Sequence, residues 1–165
     1  MNVVKAPASW DHSALRPVVF LAGSIEMGAA EPWQARLENA LSPLAGTLLN
    51  PRRDDWDASW VQSIENAPFR EQVEWELRGL RAANIVAIYF DPATKSPITL
   101  LELGLMAGHG YVGDGVTTVV CCPDGFWRKG NVEIVCAGYH LELFDHIDSF
   151  TVALARVILE HERTS

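Results

Sequence analysis

Cysteine is scarce in this chain: three in 165 residues, two of them adjacent at Cys121 and Cys122. No paired disulfide framework can be built from that number, and the CxxC spacing of a zinc site is missing. The expectation is reduced thiols in a cytoplasmic protein, with Cys121 and Cys122 as strand core. Basic charge is short as well. Thirteen Lys and Arg stand against 21 Asp and Glu, for a net charge of -8. Nucleic-acid readers draw affinity from clustered cations, so the expected partner is a small molecule and not a nucleic acid. No apolar run reaches membrane-spanning length, and the N-terminal segment has Trp10, Asp11, His12 and Arg16 where a signal peptide would have an apolar stretch. Neither a membrane partner nor export by a signal peptide is expected.

Hydrophobic residues, at 48%, are plentiful enough for one ordinary core. The first 16 residues show no periodicity and read as an N-terminal arm, leaving residues 17–165 as a single domain. Pro17 to Gly23 is an apolar run ending in glycine, a buried strand. A loop from Ser24 feeds a helix opening at Glu31 and Pro32, with Trp33, Leu37, Ala40 and Leu41 at helical spacing. Gly46 to Asn50 is a second strand, followed by the charged loop Pro51 to Asp57. Pro68 to Ala83 reads as a helix with Phe69, Val73, Leu77 and Leu80 facing inward. The strongest strand signal is Asn84 to Phe90. Asp91-Pro92 ends it, Ser96 caps the next helix and Pro97 takes its first turn. Val116 to Cys122 is another strand, then a turn-rich loop to Asn131, a short helix near 132–137, an edge strand over 141–144 and a terminal helix over 149–162. Alternation of this kind predicts an α/β fold with a doubly wound, parallel five-stranded sheet and helices on both faces. Its ligands sit beyond the carboxyl ends of the strands.

Several motifs fail on context. Gly23 to Gly28 has P-loop glycine spacing, but Ala29 and Ala30 stand where lysine and a hydroxyl are needed. Gly108 to Gly113 matches the dinucleotide glycine pattern but follows a helix and precedes a strand, the reverse of what binding requires. The five histidines show no metal-ligand spacing on one helix face, so no metal is expected. No G-x-S-x-G elbow exists for acyl transfer.

Two carboxylates stand out. Glu102 interrupts the apolar helix of the stretch YFDPATKSPITLLELGLMAG, and its neighbours Ile98, Thr99, Leu105 and Met106 include no cation. Burial would raise its pKa, as befits an acid, a base or a nucleophile; a Glu reaching to the rim or bonding a loop is equally compatible with the pattern. Glu76 falls within an inward helical stripe, where a structural cap or salt bridge is the competing account. Two carboxyl groups in different environments are what cleavage of a glycosidic bond requires.

GSIEMG after the first strand, NPRRDDWD after the second and SPITLLELGLMAG around Glu102 resemble the nucleoside 2-deoxyribosyltransferase family, and the likeness runs from about Pro17 to Asn131. The resemblance implies a flavodoxin-like α/β enzyme without a cofactor. Glu102 would be the nucleophile that takes the deoxyribose from a 2'-deoxynucleoside, and Glu76 the acid that serves the nucleobase. Gly23, Ser24, Ile25, Asp55, Trp56, Asp91, Ser96 and Asn131 would shape the substrate site. Asn131 resembles the residue lent by a neighbouring subunit, which implies a homo-oligomer. A related N-glycosidase acting on nucleosides or their 5'-monophosphates, and a nucleoside-binding module without catalysis, are the alternatives. The chain departs from the family at three points. Val19 and Phe20 stand where many members carry a tyrosine that bonds the nucleophile, Ser96 stands six positions before Glu102 in place of an aspartate, and Glu26 follows GSI where the monophosphate glycosidases have arginine. The last favours free nucleosides over nucleotides. The Arg52, Arg53, Asp54 and Asp55 cluster is open to internal pairing and to ligand recognition alike.

Overall fold

The computed structural model describes residues 1–10, 14–25, 30–111 and 115–164. Chain order is β1 (Asn2–Lys5), β2 (Val18–Gly23), α1 (Trp33–Leu41), β3 (Thr47–Asn50), α2 (Ala67–Ala82), β4 (Ile85–Tyr89), α3 (Pro97–Tyr111), β5 (Thr117–Cys121), α4 (Lys129–Gly138), β6 (Glu142–Phe144) and α5 (Ile147–Thr164). In the sheet the order is β1-β3-β2-β4-β5-β6, and every neighbouring pair is parallel. With β1 set aside this is the 2-1-3-4-5 order of flavodoxin-like folds. The sheet therefore has six strands where five were expected.

The added strand comes from the segment read as an arm. Only Val3 and Val4 mark it as apolar, and Val3 stays exposed because β1 is an edge that pairs on one side alone, with β3. An edge strand this short, ending in Lys5, leaves little unpaired backbone to recruit another sheet.

Alternating side chains of the central strands divide the core into two layers. Val19, Leu21, Ile85 and Ala87 meet α1 and α5, while Phe20, Ala22, Val86 and Ile88 meet α2, α3 and α4. Each fully buried Leu, Ile or Phe contributes roughly 1.5–3 kcal/mol, which is why the central strands can be nearly continuous in apolar residues. Cys121 and Cys122 are both fully buried, one in each layer, and burial pushes their thiols up to about 12.

The inward face of α2 differs from the expected stripe. Gln72, Trp75, Gly79 and Leu80 are buried, whereas Phe69, Val73 and Leu77 are half-buried. Trp75 sets the rotation: its ring packs against Phe20 and Trp10, and its indole N–H donates to the Ala8 carbonyl at 2.8 Å. Gly79 receives the Phe20 ring at a spot where a Cβ would lie 2.5 Å from it. No helix among the described residues is long and apolar enough to cross a membrane.

Candidate active site

The chain runs from β2 through α1 to β3 on one side and then crosses by α2 to β4 on the other. The carboxyl ends of β2 and β4 consequently open a crevice between diverging connections. Register pairs Gly23 with Tyr89 at that end. A Cβ on Gly23 would meet the Tyr89 carbonyl oxygen at 2.5 Å and the Trp33 ring at 2.7 Å, so only glycine lets the strand leave the sheet here.

Directly beyond it lies a buried group of hydroxyls. Ser24 Oγ accepts the Asp91 backbone N–H at 2.9 Å and contacts Thr94 Oγ1 at 3.0 Å. Ser96 Oγ bonds Ser24 Oγ and lies 2.7 Å from Thr94 Oγ1. All three side chains are buried. Ser96 holds φ at 45°, a left-handed conformation that a serine keeps only when its surroundings fix it. Instead of simply capping the helix, its hydroxyl joins the β2 and β4 ends to the residue that launches α3. Asp91 accepts the N–H of Glu31 at 2.7 Å and of Ala93 at 2.8 Å, and the Tyr89 hydroxyl donates to the Glu31 carboxylate. Burial and that acceptor push the Tyr89 phenol far up, which keeps it in the donating, protonated form.

Glu102 lies on the sheet-facing side of α3, only 8% exposed. No hydrogen bond or ion pair reaches its carboxyl from the described residues. Desolvation first, and then the like charge of Glu76, push it up to about 8. Glu76 keeps some residue exposure, yet its carboxyl is desolvated enough to be raised too, against the opposing effect of a 2.8 Å hydrogen bond from Gln72 Nε2. The fold therefore brings the two carboxylates singled out in the sequence, from different helices, within electrostatic reach of each other, and separately joins Ser24, Asp91 and Ser96 at the strand ends next to Gly23. Ile25 follows Ser24, half-buried.

Other expected members stand apart in their bonding. Asp55 is exposed and forms a two-point pair with Arg53, at 2.9 and 3.0 Å, so the charged cluster pairs within itself there. That guanidinium holds the Asp55 carboxyl below its ordinary range. Trp56 packs edge-on against Trp60, its indole N–H buried without a partner among the described residues. Asn131 is exposed in the first turn of α4, where a loop had been expected. Glu26, which carried the argument against phosphate, lies outside the described residues, as do Met27, Gly28, Ala29, His12, Val112 and Gly113 of the tested motifs. Among the described residues no three His, Cys, Asp or Glu side chains gather into a metal-binding group.

A family model described as nucleoside 2-deoxyribosyltransferase like matches residues 16–126, more than half of the chain. The chain belongs to that family. Membership supports nucleoside chemistry in general terms and covers β2 through the loop after β5, including Glu76, Glu102 and the hydroxyl group of Ser24, Thr94 and Ser96. Asn131 lies beyond the matched span. Among curated proteins, none matches the chain.

Sequence reasoning missed Thr94, Glu31 and Gln72. Thr94 carried no signal of its own in a turn of polar residues. Gln72 had one: it stands four positions before Glu76 on α2, the spacing at which an amide and a carboxylate on one helix meet.

Proposed function

We propose that this protein cleaves the N-glycosidic bond of 2'-deoxynucleosides and passes the sugar to a second nucleobase through a covalent deoxyribosyl intermediate on Glu102. The observation that carries the reading is the cation-free, buried Glu102 carboxyl beside Glu76, in a chain of the nucleoside 2-deoxyribosyltransferase-like family. An ionised Glu102 oxygen attacks the anomeric carbon as the bond to the base nitrogen breaks. The bonding electrons leave with the base, which Glu76 protonates. In the return step an incoming base nitrogen attacks the same carbon, Glu102 departs, and Glu76 recovers a proton. Two displacements at one carbon retain its configuration.

Ser24, Ser96 and Asp91 form the floor of the sugar site in this reading, with Gly23 and Ile25 bordering it. Asp55, Trp56 and the loop that carries them close over the base. Free nucleosides are the substrates. A homo-oligomer completes the site with Asn131 from a neighbouring copy. Its exposure, and that of Ile134 one helical turn along α4, support such an interface.

Intact-mass measurement after brief incubation with several 2'-deoxynucleosides tests the chemistry. A deoxyribosyl adduct that maps to Glu102 and is discharged by added base is the expected result, and Glu102→Ala should retain nucleoside binding while losing turnover. Discharge to water alone would identify a glycosidase. Absence of both adduct and free base, with Glu102→Ala binding nucleoside as well as the parent, would overturn the enzyme reading in favour of a binding module.

A further inference from the structure

We infer that Gln72 is a positioning residue for Glu76, holding one carboxyl oxygen of that side chain against a fixed point of the backbone at the carboxyl end of β3. The inference rests on the proposed proton-transfer role of Glu76 for its functional meaning, but the contact stands on geometry alone. Gln72 is only 4% exposed. Its Nε2 lies 2.8 Å from the Pro51 carbonyl oxygen and 2.8 Å from Glu76 Oε1. A carbonyl oxygen accepts and never donates, so the Gln72 atom facing Pro51 has to be the nitrogen. The chemistry thus fixes the amide orientation, and both its N–H groups are spent, one on the backbone and one on the carboxyl.

The fixed point is itself anchored. Pro51 is buried and follows Asn50, whose Oδ1 accepts the Arg52 N–H at 2.8 Å and whose Nδ2 donates to Glu38 at 2.6 Å. Glu76 is tied through Gln72 to the strand and not merely to its own helix. One oxygen of the carboxyl is occupied, and no hydrogen bond to the other comes from the described residues.

A second observation shows what this arrangement costs. With both N–H groups committed, Gln72 Oε1 is buried and has no hydrogen-bond partner among the described residues. An unpaired buried acceptor lowers stability, and an apolar side chain of similar length would remove the penalty. A glutamine kept there at that cost is explained by what its nitrogen does. The hydrogen bond favours the ionised form of Glu76 and so opposes the burial that raises it. Glu102 is a titratable group close enough to feel Glu76: the Glu76 charge adds to the burial that raises Glu102, while Glu76 itself is raised by its own burial.

The test is the titration of the Glu76 side-chain carboxyl, followed by carbon-13 NMR in the full chain and assigned by its loss in Glu76→Gln. Gln72→Met, which keeps the length and removes both N–H groups, should move the Glu76 midpoint upward while circular dichroism stays native. Should that variant not fold, Gln72→Asn retains an amide one methylene too short for the contact and should give the same upward shift. An unchanged midpoint in a folded variant overturns the inference. No substrate enters this measurement, so it decides the matter even where the glycosyl-transfer reading fails. Where the parent releases base, Gln72→Met should lower kcat about tenfold with KM within about twofold, as expected for an impaired general acid. An unchanged kcat would equally overturn the positioning role.

Discussion

Glu102 must shed a proton that its surroundings favour keeping. The carboxyl has an ordinary value of 4.5 and is pushed up to about 8, so between those limits the unfolded chain binds fewer protons than the folded one. Stability that is fully present below about pH 4.5 is therefore lost progressively as pH rises towards 8, by a few kcal/mol at about 1.4 kcal/mol per unit. Glu102→Gln should flatten that slope and be more stable than the parent at pH 9, as read by urea unfolding across the pH range. A parallel slope in parent and variant would place the burial penalty elsewhere. Glu102 was legible in the sequence because a lone charge in an apolar helix is a local signal. The spacing of Gln72 to Glu76 was an equally local signal, but its second contact was not legible, since Pro51 is a residue 21 positions away that only the packed loop brings near.

At the scale of elements, what was legible followed hydrophobic runs. The strands β2 to β6 and the five helices lie close to where the apolar pattern puts them, as alternation and length are local properties. The inward face of α2 was misread because burial there belongs to Gln72 and Gly79, which a hydrophobic stripe ignores, and to Trp75, whose partners Trp10 and Phe20 are distant in sequence. Short β1 escaped for the same reason: its pairing with β3 is long-range and its apolar content is two valines. The join between β2 and the crevice is the most sensitive of these elements. Gly23→Ala would drive a methyl into the Tyr89 backbone, which cannot yield as a flexible side chain does. A loss of about 1–3 kcal/mol or more is expected in thermal unfolding, together with weakened nucleoside binding as Ser24 is displaced. A neutral effect on both would show that the strand end can relax.

For the whole molecule, the unresolved balance is at the surface of α3. Its inner side carries Glu102, Leu103 and Met106, while Ile98 at 59% and Leu101 at 60% exposure, with Leu105, project outward beside the open positions of Gly104 and Gly108. A helix apolar on both sides is ordinarily covered on both. The chain's net charge of -8 disfavours self-association across most of its surface, but this stripe has no charge to repel. Leu101→Glu should therefore reduce the mass of a homo-oligomer measured by sedimentation equilibrium and leave the monomer folded. A parent that sediments as a monomer at every concentration would remove the proposed contribution of Asn131 from a neighbour.

Cys121 and Cys122 are chain neighbours, but the pleat sends one side chain into each core layer. Vicinal thiols in a flexible segment can jointly chelate a soft metal or close on one another under oxidation. Here the central wall of the fold serves as insulation between them, and that partnership is open only after the wall has been taken apart.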